Sequence, residues 1–175
     1  GAKVHLSSLA AAHFLVQNGI EPLVQMTCRD RNRLALQADI LGAVSLGIRN
    51  MLMLAGDDPK VGDQPEAKPV FDLDSVSLVS MLRTMNDGLE VSRPNGKKER
   101  LPKTNFFIGC AVSPFKRQER ELMPQYLKLA RKIQCGAQWV IPQLGYDMRK
   151  FHELKLFLDW AQLPTPIIGN VYVLN

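Results

Sequence analysis

Five short apolar segments that alternate with amphipathic ones are the feature that most limits what this chain can fold into. Each segment is mostly apolar without strict alternation, which is typical of strands that are covered on both faces. We predict strands at residues 22–28, 50–56, 106–112, 139–145 and 167–174.

The intervening segments repeat their apolar residues at helical spacing, for example at Leu34, Ala38, Leu41 and Val44. Aspartates and glycines mark their ends, because aspartate caps helix N-termini and glycine favours the left-handed conformation that ends a helix. We therefore predict helices over residues 4–18, from the N-cap Asp30 to Gly47, after the N-cap Asp74, from about Pro124 to Gly136, and after the N-cap Asp147.

Alternating strands and helices form parallel β-α-β units, and two architectures contain them: a (β/α)8 barrel and an open doubly wound sheet. The phosphate-binding patterns G-x-G-x-x-G and G-x-x-x-x-G-K-[S/T] do not occur, which counts against the common nucleotide-binding open sheets. A unit of roughly 30 residues suits the barrel, whose usual length is about 250 residues. Since 175 residues are too few for eight units, we predict an α/β fold of the TIM-type (β/α)8 barrel class, incomplete, with residues 1–175 as a single domain from the central part of the barrel.

Composition argues against several classes of function. Much of the net charge of +5 lies at residues 93–100 without interleaved aromatic residues, so we expect a solvated loop there, mobile over residues 86–103, and no nucleic-acid partner. Cys28, Cys110 and Cys135 form no C-x-x-C pair and no metal-ligand spacing with histidine, so we expect reduced thiols and no metal. No apolar run reaches the roughly 20 residues of a membrane helix, and no signal-peptide pattern opens the sequence, so we expect a cytoplasmic protein without a membrane partner.

Polar residues stand at the carboxyl ends of the predicted strands, where the side chains of a barrel converge on one mouth. They are Gln25, Thr27, Asp30, Asp57, Asp58, Ser113, Gln143, Tyr146, Asp147, Asn170 and Tyr172. They include no serine–histidine–aspartate or cysteine–histidine set, and no glutamate or histidine that would serve as an obvious general acid or base. Such a set of amides, hydroxyls and carboxylates suits a heteroaromatic ligand with many donors and acceptors, such as a flavin or a pterin.

These residues also have structural interpretations, which the residues alone leave open. Either Asp57 or Asp58 could start the turn before a proline. Gln143 could satisfy neighbouring backbone groups, because a buried amide costs free energy unless it is paired. The basic residues at 128–132 could form a solvated helix face.

Five motifs, taken in order and at their spacing, resemble the methylenetetrahydrofolate reductase family. They are QMTCRDRN, LMLAGDDP, GCAVSPF, LKLARKIQCGA and VIPQLGYD, and the resemblance covers essentially the whole chain. It is strongest to the branch that is fused to, or works beside, homocysteine or corrinoid methyltransferases. The resemblance implies an oxidoreductase acting on a CH–NH bond, which holds FAD at the carboxyl ends of its barrel strands. NADH or NADPH reduces the flavin, and 5,10-methylenetetrahydrofolate then becomes 5-methyltetrahydrofolate in one-carbon and methionine metabolism.

The resemblance also implies the site residues. Asp57 matches the aspartate that lies by the flavin and hydrogen-bonds the pterin, which makes it the candidate catalytic and substrate-binding residue, and Gln143 matches a substrate-facing glutamine. Arg131 and Lys132 match an Arg-Lys pair whose cations stabilise the anionic reduced flavin, whereas Asp58 is expected only to shape the loop. The cofactor-binding candidates are Gln25, Thr27, Leu54, Ala55, Gly56, Phe71, Ser113, Lys128, Arg131 and Lys132.

The family's first barrel strand carries a glutamate proposed to protonate the substrate, and that strand is not among these 175 residues. An alternative therefore stays open, in which the chain is a non-catalytic flavin- or folate-binding subunit or an inactive fragment that requires a partner. We also expect a fused or associated methyltransferase domain and a homo-oligomer or hetero-complex.

Overall fold

The computed structural model describes residues 2–173, which form helices alternating with the strands of a parallel sheet. The helices are α1 (Ser8–Gln17), α2 (Arg33–Ser45), α3 (Ser75–Asp87), α4 (Glu119–Gln134) and α5 (Met148–Trp160). The strands are β1 (Leu23–Thr27), β2 (Asn50–Leu54), β3 (Glu90–Ser92), β4 (Lys98–Arg100), β5 (Phe107–Val112) and β6 (Trp139–Pro142). A 3-10 turn, Pro59–Val61, follows β2.

Four of the strands form one sheet in the order β1–β2–β5–β6, and every neighbouring pair is parallel. The predicted α/β class is therefore confirmed, and the arrangement is that of part of a (β/α)8 barrel. Because the strands are parallel, their carboxyl ends lie at the same edge of the sheet. None of the helices in residues 2–173 has the length and apolarity that crossing a membrane requires.

The helices cover one face of the sheet and form the core with it. Alternate strand residues point to that face, as the period of two requires. The fully buried members include Met51, Met53, Ile108, Cys110 and Val140 from the strands, and Leu36, Leu82, Leu129 and Leu154 from the helices. Burial of each large apolar side chain contributes about 1.5–3 kcal/mol, so this face holds the strand ends in place.

The opposite face of the sheet carries a row of four residues that the parallel register aligns: Gln25, Leu52, Gly109 and Trp139. Trp139 is 1% exposed. A β-carbon at Gly109 would overlap the indole of Trp139, so only glycine lets that ring lie across β5. In a barrel this face points inward, so the indole fills the interior at the start of β6, level with the third residue of β1, β2 and β5.

The start of α2 differs from the prediction. Its N-cap is Asn32, whose side chain accepts a 3.0 Å hydrogen bond from the Ala35 N–H. Asp30 was the wrong choice because its carboxylate is engaged by the neighbouring guanidinium of Arg29, at 2.6 Å. The predicted N-caps Asp74 and Asp147 are confirmed, since their side chains accept hydrogen bonds from the N–H groups two or three residues on.

Helices α1 and α4 also begin elsewhere than predicted. α4 begins at Glu119, so Pro124 lies inside it as the sixth residue rather than in the first turn. The acidic residues of the first turn favour the earlier start, and the proline removes one helical hydrogen bond. α1 begins at Ser8 rather than at residue 4, because the Val4 N–H donates to the Asp63 carboxylate (2.9 Å) and holds the preceding residues extended.

The segment 86–103, predicted to be a mobile loop, instead contains the antiparallel hairpin β3–β4. Its strands are joined by the exposed ion pairs Glu90–Lys98 (2.8 Å) and Arg93–Glu99. Some of the basic residues that suggested a solvated loop therefore form cross-strand ion pairs, and such pairs stabilise a hairpin.

The last predicted strand, 167–174, is reduced to a single bridge between Ile167 and Val140. Val140 donates to the Pro166 carbonyl and accepts from the Ile168 N–H, each at 2.9 Å. The next donor in the ladder would be residue 142, a proline without an N–H, so pairing stops there and β6 ends at Pro142 rather than at residue 145. Residue 174 lies outside the described residues.

Beyond Ile168, a single hydrogen bond within residues 2–173 joins this last segment to the loop after β6. The Tyr146 hydroxyl donates it to the Tyr172 carbonyl oxygen, at 2.6 Å.

Candidate functional site

An open cleft with a volume of about 630 Å³ lies at the carboxyl ends of the four parallel strands. Ten of the twelve residues that the sequence predicts for the site line it, all but Phe71 and Arg131. The ten are Gln25, Thr27, Leu54, Ala55, Gly56, Asp57, Ser113, Lys128, Lys132 and Gln143.

The two remaining residues point elsewhere. Phe71 lies in the loop before α3, in the left-handed region (φ 42°), and is 41% exposed. Arg131 lies on the exposed side of α4, because Lys128 and Lys132, four residues apart, share the side that faces the cleft. The structure thus brings one member of the predicted Arg-Lys pair to the cleft.

The two aspartates that follow β2 are separated by the fold. Asp57 lines the cleft. Asp58 caps the 3-10 turn, accepting a 2.9 Å hydrogen bond from the Lys60 N–H, and so shapes the loop as predicted. Gly56 has φ +90°, and a β-carbon there would lie 3.0 Å from the Arg29 β-carbon and 3.1 Å from that of Thr27. Glycine is therefore required for the close turn that brings Asp57 to the cleft.

Gln143 directly follows β6. Its N–H donates to the Val112 carbonyl oxygen (2.7 Å), so the ladder with β5 continues for one residue beyond Pro142. This bond holds the backbone of Gln143, and its exposed side chain lies at the cleft.

A buried ammonium group forms part of the cleft wall. Lys132 is 8% exposed, and its Nζ donates a 2.7 Å hydrogen bond to the Ala111 carbonyl oxygen. Burial lowers the pKa of Lys132, and the charge of Lys128 lowers it further. An amine is buried only when its surroundings compensate for lost hydration, so this position is built around the lysine.

Asp74, the N-cap of α3, also pairs with Lys128. Its Oδ1 accepts from the Ser77 N–H (2.8 Å) and its Oδ2 lies 3.3 Å from Lys128 Nζ. Burial alone would raise the pKa of Asp74, but the hydrogen bonds from Ser77 and the Lys128 ammonium lower it. Asp74 is thus an anion that offsets part of the positive charge on this wall.

The neighbouring thiols are not nucleophiles. Burial raises the pKa of Cys28 to about 11, and Asp74 adds to the shift. Burial likewise raises the pKa of Cys110 to about 11. Both are therefore neutral thiols near pH 7.

Sequence reasoning missed three polar residues of the cleft: Arg29, Ser75 and Gln125. Gln125 lies three residues before Lys128 on the same helix face, and Ser75 begins α3 after its cap, so helical spacing could have identified both. Arg29 directly follows the first strand, but its direction cannot be read from the sequence. Its side chain is only 14% exposed and is paired with Asp30.

The arrangement suits a planar polar ligand rather than a metal ion. Three glutamines, three hydroxyl residues, one carboxylate and three cations line the cleft. Nowhere in residues 2–173 do three or more His, Cys, Asp or Glu side chains come together as metal ligands would. The cleft residues of that range also include no glutamate and no histidine.

Comparison with known proteins gives one consistent family. A family model described as "Methylenetetrahydrofolate reductase" matches residues 1–175. A probable methylenetetrahydrofolate reductase (NADPH) from Caenorhabditis elegans is 25% identical over 171 residues, which are 97% of this chain and 23% of the relative. A 5,10-methylenetetrahydrofolate reductase from Pectobacterium carotovorum subsp. carotovorum is 26% identical over 136 residues, 77% of this chain and 38% of the relative. The chain therefore spans less than two fifths of either relative.

Proposed function

The chain belongs to the methylenetetrahydrofolate reductase family, and on that premise we propose that its cleft serves the reduction of 5,10-methylenetetrahydrofolate to 5-methyltetrahydrofolate. The reaction uses bound FAD and NADH or NADPH, and the name of the nematode relative favours NADPH. The observation that carries the proposal is that ten separately predicted residues, from four strand ends and one helix, line a single cleft.

Asp57 is the proposed anchor of the folate. A carboxylate can accept two parallel hydrogen bonds from the amino group and the ring N–H of a pterin. Gly56 holds the turn that presents Asp57, and Gln143 supplies an amide that can both donate and accept at the strand end two positions along the sheet. Together they recognise the polar edge of the ligand.

The donor set of the cleft also fits an isoalloxazine ring. Within residues 2–173, Lys132 Nζ commits one of its three donors, to Ala111, and the buried ammonium is a strong site for a negative charge. Gly56 lets the ring approach the backbone closely because it has no side chain. Gln25, Thr27 and Ser113 offer the ring further polar contacts. When bound, FAD supplies the hydride that the folate receives. Lys132 would stabilise negative charge at the N1–C2=O edge of the ring, and such a charge would in turn raise the pKa of Lys132.

We further propose that residues 1–175 are the central part of a larger barrel in a cytoplasmic enzyme of one-carbon and methionine metabolism. A fused or associated methyltransferase domain and a homo-oligomer or hetero-complex belong to this proposal. Phe71 and Arg131, which lie away from the cleft, are not assigned to the flavin in it.

One observation favours a second candidate, a flavin- or folate-binding subunit that is not catalytic by itself. The cleft residues within 2–173 include no glutamate or histidine to protonate the bridging nitrogen of the substrate. In that case another segment or a partner protein supplies the acid.

The experiment is to purify the protein expressed from its natural gene and to measure flavin absorbance and NAD(P)H oxidation. Menadione serves as the flavin acceptor and 5,10-methylenetetrahydrofolate as the substrate. We expect a yellow protein with folate-dependent oxidation of the reductant. A colourless protein that takes up no added FAD refutes the proposal, whereas binding of FAD and folate without turnover selects the second candidate.

A further inference from the structure

Arg29 connects the end of β1 to the loop that carries Asp57. Its β-carbon lies beneath Gly56, where an added β-carbon would be 3.0 Å away. Its Nη1 lies 3.5 Å from the Asp57 carbonyl oxygen, and its own carbonyl oxygen accepts a 2.7 Å hydrogen bond from the Val70 N–H. Three separate contacts thus run from one residue to the loop after β2.

The guanidinium of Arg29 is itself held firmly. Nε and Nη2 donate to the two carboxylate oxygens of Asp30, at 2.6 and 2.8 Å, a bidentate pair that fixes the plane of the group. The hydrogen bond and charge of Asp30, together with the charge of Asp57, raise the pKa of Arg29. The carboxylate of Asp57 therefore lies within electrostatic range of a permanent, oriented cation.

We propose that Arg29 is a positioning residue for Asp57, which fixes where that carboxylate enters the cleft and thereby sets the affinity for the folate. This inference rests on the proposed function, because it takes Asp57 as the pterin anchor. Arg29 acts through Asp57: the ligand gains from Arg29 only while a carboxylate is present at position 57. The bidentate geometry matters as well, since an ammonium group cannot hold Asp30 at two points while reaching the Asp57 carbonyl.

The neighbouring pair Arg31–Asp39 provides a matched control. It is also an arginine–aspartate pair, with Nε 2.7 Å from Oδ2, and it lies in the same region of the chain. Arg31 does not line the cleft, so this control separates the loss of an arginine–aspartate pair from a change at the cleft itself.

The test is a double-mutant cycle in the protein expressed from its natural gene, with the dissociation constant of 5-methyltetrahydrofolate measured by calorimetry. We expect Arg29→Gln to weaken binding about tenfold when Asp57 is present and less than about twofold in the Asp57→Asn background. Arg29→Lys should fall between Arg29→Gln and the unaltered protein, and Arg31→Gln should leave the constant within about twofold. Thermal denaturation of each variant shows whether it is folded.

The outcomes separate the inference from the proposed function. An equal loss in both backgrounds, or no loss in either, overturns the positioning role while the unaltered protein still binds the folate. An unaltered protein that binds no 5-methyltetrahydrofolate overturns the proposed function, and the positioning role with it. If Arg29→Gln does not fold, Asp30→Asn replaces it in the cycle, because that change frees the guanidinium without removing it.

Discussion

Lys132 donates a 2.7 Å hydrogen bond to the Ala111 carbonyl oxygen, so a charged group on α4 is tied to the last residues of β5 at the wall of the cleft. This contact crosses from a helix to a strand end, where the proposed ligands bind. It places a buried cation where an ordinary core would have an apolar residue. Burying that charge costs hydration free energy, so a stabilising role does not by itself account for the lysine.

Replacement of Lys132 by Met tests this interpretation. Removing a buried charge in favour of an apolar chain of similar length is often neutral or stabilising, so we expect the free energy of unfolding to change by less than about 2 kcal/mol. The affinity for FAD should fall more than about tenfold, because the ammonium is lost. Urea denaturation and flavin-fluorescence titration measure the two effects, with the exposed Lys155→Met as control. Unchanged FAD affinity would contradict the assigned role.

Asp57→Asn should separate folate chemistry from flavin binding. The amide keeps the shape of the side chain but cannot accept two hydrogen bonds as a carboxylate does, so we expect folate turnover to fall about 100-fold with FAD still bound. Steady-state kinetics and the flavin spectrum check this. Asp58→Asn is the control: it touches the cap at Lys60 and should cost at most about 1 kcal/mol of stability with little change in turnover. Lost FAD with intact folate turnover would show that the roles are reversed.

Gly109→Ala should destabilise the protein because the new methyl group meets the Trp139 indole. We expect a loss of about 1–3 kcal/mol in the free energy of unfolding, typical of overpacking. Gly42→Ala is the control, since nothing lies within 4 Å of its added β-carbon in α2, and it should stabilise by about 0.5–1 kcal/mol. Trp139→Leu in the Gly109→Ala background should recover part of the loss. Equal melting temperatures for the two alanine variants would show that the indole is not held against β5.

Stability should fall in alkaline solution because of two thiols. In the folded protein burial raises the pKa of Cys28 and of Cys110 from 9.0 to about 11. Between those values the unfolded chain has lost protons that the folded chain keeps, so the free energy of unfolding decreases as pH rises from about 9 to about 11. Urea denaturation at half-unit steps measures the slope. The double variant Cys28→Ala/Cys110→Ala should reduce it, and an unchanged slope would contradict the role of the thiols.

Local patterns were enough to predict what local physics determines. The N-caps Asp74 and Asp147, the four paired strands and the separate positions of Asp57 in the cleft and Asp58 at the cap follow from neighbouring residues or from motif position. The predictions that were wrong depended on contacts between residues distant in sequence, or on which of two nearby residues caps a helix. Asn32 rather than Asp30 caps α2, because the carboxylate of Asp30 is paired with Arg29.

Two further differences have the same origin. The hairpin β3–β4 depends on ion pairs whose register is set only when the chain turns back on itself. The direction of the Arg29 side chain depends on Gly56, 27 residues further along the chain. A β-carbon at that position would lie 3.0 Å from the Arg29 β-carbon. Neither can be read from a linear pattern of apolar and polar residues.

The missing N–H of Pro142 leaves the loop after β6 and residues 168–173 easy to separate. Beyond that residue, the loop after β6 and residues 168–173 are joined within the described chain by the Tyr146–Tyr172 hydrogen bond and not by a strand ladder. Releasing one exposed hydrogen bond costs about 0.5–1.5 kcal/mol, far less than separating paired strands. The loop after β6 and residues 168–173 can therefore separate at thermal energies while the four paired strands stay intact.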